Sequence, residues 1–175
     1  FGSESFENDC FDKVNVKINV KITIKNDVLF VDFSGTSNQI KGFKNSSLAN
    51  THSAVYTAIA SFFDQKIPRN EGTFKCIKIN APLGTLVNAK YPAPVTMCTV
   101  FPAHEIIHAC WWALGQAVPE RNCAGWGKNS FPNASGLRED GTTWVMYNWG
   151  GLSGAGAVNG RDGFNQIGPL ITLGG

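Results

Sequence analysis

From Val14 to Ile24 every even position is apolar (Val14, Val16, Ile18, Val20, Ile22, Ile24), while the odd ones are Asn15, Lys17, Asn19, Lys21 and Thr23. Successive side chains of an extended chain point to opposite faces, so this period of two requires a half-buried β-strand. Asn26-Asp27 breaks the pattern and Val28-Leu-Phe-Val31 resumes it, which predicts an antiparallel hairpin closed by a short turn. Lys13, Lys17, Lys21 and Lys25 could form a phosphate-binding stripe. The expectation is instead a solvated sheet face that discourages edge pairing.

Helical spacing takes over farther on. Val55, Ala58, Ile59, Phe62 and Phe63 predict a helix over about 51–64 that ends before Pro68. Phe74-Lys-Cys-Ile-Lys-Ile79 reads as a strand. A second helix is expected to start at Pro102 and run to about Ala117, burying Ile106, Ile107, Cys110, Leu114 and Ala117 and stopping at Pro119. Asp140-Gly141 predicts a turn into the strand Thr142–Tyr147, and glycines crowd the tail from Gly150 onward. The class is α+β: an antiparallel β-hairpin or sheet, at least two packed helices and a glycine-rich C-terminal loop region. No linker divides residues 1–175, so the chain reads as a single domain or an excerpt of one.

An apolar fraction of 43% against 16% charged residues excludes a disordered chain. No apolar run approaches the roughly 20 residues that a membrane span needs, and a net charge of +2 is too small to point to nucleic acid. The five cysteines are odd in number and form no Cys-x-x-Cys pair, the pattern of reduced thiols in a cytoplasmic protein. Asn45-Ser-Ser47 and Asn133-Ala-Ser135 match the glycosylation pattern and are expected to be silent. Phe1 stands where an initiator Met would, and the chain stops at Gly174-Gly175, the expectation being an excerpt of a longer chain.

Several constellations carry chemistry on paper. His104-Glu105-Ile-Ile-His108 is an H-E-x-x-H, whose imidazoles one helical turn apart can bind zinc with Glu105 as general base. A third ligand is needed, with Cys110, Cys123, Glu120 and Glu139 as candidates, and the downstream Gly and His of the extended pattern are missing. A packing helix with a polar side is therefore expected. Gly154-Ala-Gly156-Ala-Val-Asn-Gly160 lacks the spacing of a dinucleotide fingerprint and the Lys of a Walker loop, so its glycines are expected to serve the backbone. Gly151-Leu-Ser153-Gly-Ala155 lacks the last Gly of a serine-hydrolase elbow.

Asp162, beside Arg161, could orient a substrate or form a local ion pair. Asp32 ends an apolar strand in the word Asp32-Phe-Ser-Gly-Thr36, a rigid place to present a carboxylate. Asn70, between Pro68 and Gly72, either fixes its own loop or meets substrate. Asp32, Asn70 and Asp162 are the catalytic candidates, with turn chemistry the competing role for Asp32, Asn70, Thr36 and Asn45.

Five words stand in order along the chain: Asp32-Phe-Ser-Gly-Thr36, Ile67-Pro-Arg-Asn-Glu-Gly72, Ala81-Pro-Leu-Gly-Thr85, Pro92-Ala-Pro-Val-Thr-Met97 and Gly160-Arg-Asp-Gly-Phe-Asn-Gln-Ile-Gly168. Together they resemble the hydantoinase B/oxoprolinase family. Pro92–Met97, Ala124-Gly-Trp-Gly127 and the Gly160–Gly175 segment look closest to the alpha-type large subunits of acetone and acetophenone carboxylases. The resemblance implies part of a catalytic subunit of an ATP-dependent ketone carboxylase, which takes a phosphate-activated substrate from a partner. A 5-oxoprolinase or hydantoinase that hydrolyses a lactam is the alternative, and a non-catalytic subunit-interface domain, suggested by Trp111, Trp112, Trp126, Trp144 and Trp149, is the third.

In each enzymatic case the resemblance places ATP on a hydantoinase A-type partner within a hetero-oligomer. It sets the family's metal sites on His and Asp clusters of an earlier portion of the chain. No residue here is assigned as a metal ligand.

Overall fold

The computed structural model describes residues 1–127, 133–147 and 153–165. Two compact units divide the chain, Phe1–Cys123 and Ala124–Gly175.

The first unit is built on a four-stranded sheet of β1 (Gly2–Asn8), β2 (Lys13–Lys25), β3 (Val28–Asp32) and β4 (Ile77–Asn80), in that spatial order. The β2–β3 hairpin turns at Asn26-Asp27, where Asn26 takes φ +53°, a conformation that Asn tolerates better than most residues. The alternating residues Val16, Ile18 and Val20 are buried, together with Val31 of β3 and Phe33 just beyond it. Ile24 departs from the expected pattern: it pairs with Leu29 beside the turn and stays 69% exposed.

Helix α1 (Leu48–Ala60) begins three residues earlier than its apolar spacing indicates, because Ser47 caps it by accepting from the Asn50 amide at 3.2 Å. Helix α3 (Phe101–Gly115) has Pro102 in its first turn and packs against α1, β1 and β2. The crossing with β1 is close: a Cβ on Gly2 would stand 1.9 Å from the Ala109 carbonyl oxygen. Trp111 extends the α1–α3 contact by donating its indole N–H to the Ala58 carbonyl at 3.2 Å and to Ser61 Oγ at 2.9 Å.

The expected strand over 74–79 is divided in the structure. A single helical turn, α2 (Glu71–Phe74), precedes β4, and the Phe74 ring stacks on Tyr56 at 4.5 Å instead of joining the sheet. β4 pairs with β3 in parallel, with Leu29, Phe30, Val31 and Asp32 opposite Ile77, Lys78, Ile79 and Asn80. That connection turns the antiparallel hairpin into a mixed sheet.

Loops on the core side are fastened by side chains. Asn45, with no exposed surface, accepts from the Ile40 amide at 2.8 Å and donates to the carbonyls of Ile40, Gly42 and Pro94 at 2.9, 3.0 and 2.9 Å. Its burial removes it as a glycosylation acceptor.

In the second unit β5 (Asn133–Leu137) and β6 (Thr143–Tyr147) form an antiparallel pair. Gly141 takes φ +81° in the predicted turn, and Asp140 Oδ1 accepts from the Thr142 amide and hydroxyl at 2.9 and 2.7 Å. Of the glycine-rich tail, Gly156 allows close backbone approach: a Cβ there would meet the Gly125 carbonyl oxygen at 2.0 Å. Trp149 and the remainder of the Gly160–Gly168 word after residue 165 lie outside the described residues.

Candidate functional site

Asp32 is the sequence candidate around which the structure assembles further polar groups. It ends β3, and the parallel register sets Asn80, the last residue of β4, at its side. On the other flank the antiparallel register sets Lys21. Carboxyl ends of adjacent parallel strands are where open sheets commonly present ligand-binding groups, because the chain leaves the sheet there and exposes its polar side chains.

Three donors converge on Asp32 Oδ1: the Ser34 amide at 3.0 Å, the Ser34 hydroxyl at 2.7 Å and Asn80 Nδ2 at 2.8 Å. Asn80 Nδ2 also reaches Ser34 Oγ at 3.3 Å. The Ser34 hydroxyl and amide, then Asn80 and the charge of Lys21, hold the Asp32 carboxyl below the usual carboxylate range, with partial desolvation opposing them. Asp32 is accordingly an anion at neutral pH, suited to accept a hydrogen bond or to balance positive charge. A general acid would need its pKa shifted the other way.

The loop beyond Asp32 is held by its neighbours as well. Thr36 exchanges hydrogen bonds with the backbone of Asn19 through its hydroxyl, both at 3.1 Å, and Asn19 Nδ2 donates to the Gly35 carbonyl at 2.6 Å. Gly35 takes φ +85°, which accounts for the glycine in the word. Thr36 thus has a structural task.

Asn70 has a local task of its own. Asn70 is the N-cap of α2: its side-chain oxygen accepts from the Thr73 amide at 3.1 Å, while the Thr73 hydroxyl returns to the Pro68 carbonyl at 2.6 Å. Asp162 belongs to the second unit, where the Arg161 guanidinium lies over the Phe164 ring at 4.8 Å.

Helix α3 does set His104 and His108 one turn apart, with ring centroids separated by 6.5 Å, and His108 lies 5.7 Å from the Trp111 ring. His104 and Glu105 are buried within the packing of that helix. Among the described residues no group of three or more His, Cys, Asp or Glu side chains could hold a metal ion.

Sequence reasoning does not pick out Ser34 or Asn80 as site residues, and it names Lys21 only within the Lys13–Lys25 row, for which a solvated face is the expectation. Ser34 stood inside a quoted word, whereas Asn80 carries no signal until the parallel pairing of β3 and β4 is known.

This is an α+β unit with a hydrogen-bonded polar cluster at the ends of two parallel strands. The family model for hydantoinase B/oxoprolinase matches residues 2–173, and the chain belongs to that family.

Among its relatives, the beta subunit of caprolactamase from Pseudomonas jessenii is 37% identical over 142 residues, covering 78% of this chain and 24% of the relative. The crystal structure of the ATP-dependent caprolactamase from that organism superposes with a TM-score of 0.76 at 31% identity, over 97% of this chain and 30% of the other. The B-type subunit of a putative D-/L-hydantoinase from a Pseudomonas species is 31% identical over 166 residues, 90% of this chain and 27% of the relative. The nucleotide-free structure of an acetone carboxylase has the same fold, with a TM-score of 0.75 at 17% identity over 99% of this chain and 26% of that one. The chain thus spans about a quarter of the length of these two curated relatives.

Proposed function

We propose that this chain is part of the large subunit of an ATP-dependent cyclic-amide hydrolase. In this reading a hydantoinase A-type partner uses ATP to phosphorylate the amide oxygen, and the present subunit carries the activated ring to hydrolysis. The observation that carries it is the 37% identity with the caprolactamase beta subunit. The putative hydantoinase subunit, at 31%, lies on the same side of the family's chemistry.

Likeness to the acetone carboxylase, at 17% identity, is a likeness of fold and leaves the ketone carboxylase as the second reading. Both begin by phosphorylating the carbonyl oxygen, because an unactivated amide or ketone is a poor reaction partner. They part at the second step: in a hydrolase water adds to the activated carbon, the ring C–N bond breaks as the amine leaves, and a second water releases phosphate from the resulting acyl phosphate, whereas a carboxylase must exclude water. Within the hydrolase, Asp32, kept ionised by Ser34 and Asn80, would accept a hydrogen bond from substrate or from a subunit group that holds it.

The test uses the full-length protein with its ATP-using partner, supplied with caprolactam, 5-oxoproline, a hydantoin, or acetone plus labelled bicarbonate. Ring opening coupled to ATP use supports the hydrolase. Label carried into a ketone product moves the protein to the carboxylase branch and refutes the proposal.

A further inference from the structure

We draw no further inference here: the strongest candidate, the groove beside α1 that His52, Tyr56, Arg69 and Phe74 line, carries nothing because nothing in the structure shows whether a ligand or more of the same protein covers it.

Discussion

Asn80 Nδ2 donates to Asp32 Oδ1 at 2.8 Å, joining two residues 48 positions apart across the carboxyl ends of β3 and β4. With the amide and hydroxyl of Ser34, this bond stabilises the ionised carboxyl. The pKa of Asp32 in the folded chain therefore lies below its value of 3.8 in the absence of these contacts. Its stabilisation is complete above that value and is lost as pH falls from there through the depressed folded pKa. Urea unfolding between about pH 5 and pH 2 should show wild type losing more stability than Asp32→Asn over that acid window. Parallel curves for the two proteins would refute the assignment.

Asn45 should be a larger stability determinant than any of the catalytic candidates Asp32, Asn70 and Asp162. Asn45→Ala leaves the Ile40 amide and the carbonyls of Ile40, Gly42 and Pro94 without the partner that the fully buried Asn45 side chain supplies. A loss of about 3 kcal/mol in urea denaturation is expected. Asn45→Asp should lose at least as much, because a carboxylate cannot donate to three carbonyls and repels them. Wild-type stability in either variant would remove this role.

Strand β2 was legible because its buried and exposed positions alternate over almost its whole length. β1 was not: its buried positions include Gly2, whose value is the absence of a side chain against Ala109, and such a residue adds nothing to an apolar period. The start of α1 was hidden for a different reason. Ser47 is followed at the third helical position by Asn50, so no acidic capping box marks it, although Ser47 Oγ accepts from the Asn50 amide.

For the site, the sequence exposed Asp32 as a strand end but could not supply Asn80, which parallel pairing brings from 48 residues away. Local composition does not encode that register.

Asn70 can be separated from a substrate-binding role by its cap geometry. Asn70→Ala should cost about 1 kcal/mol by freeing the Thr73 amide, and Asn70→Ser, whose hydroxyl can accept the same bond, should restore most of it. ATP-coupled turnover by the full-length Asn70→Ser protein should follow stability. A variant with wild-type stability and lost turnover would instead place the side chain against substrate.

The five free thiols should react in an order set by burial. Cys10 and Cys76 are exposed, Cys98 and Cys123 half-buried, and Cys110 lies wholly inside α3's packed face. Burial pushes the Cys110 thiol up to about 12. Alkylation consumes the thiolate, and at pH 8 a pKa of that size leaves about one thiolate in ten thousand, even for a reagent that reached the sulfur. Cys110 must therefore be modified through opening of the α3 packing, which returns its pKa to the ordinary range. In an iodoacetamide time course read by mass spectrometry, Cys10 and Cys76 should be labelled first. Cys110 should be labelled last, at a rate that rises with urea as the population of the opened state rises. Labelling of Cys110 as fast as Cys10 in native buffer would show that the helix does not enclose it.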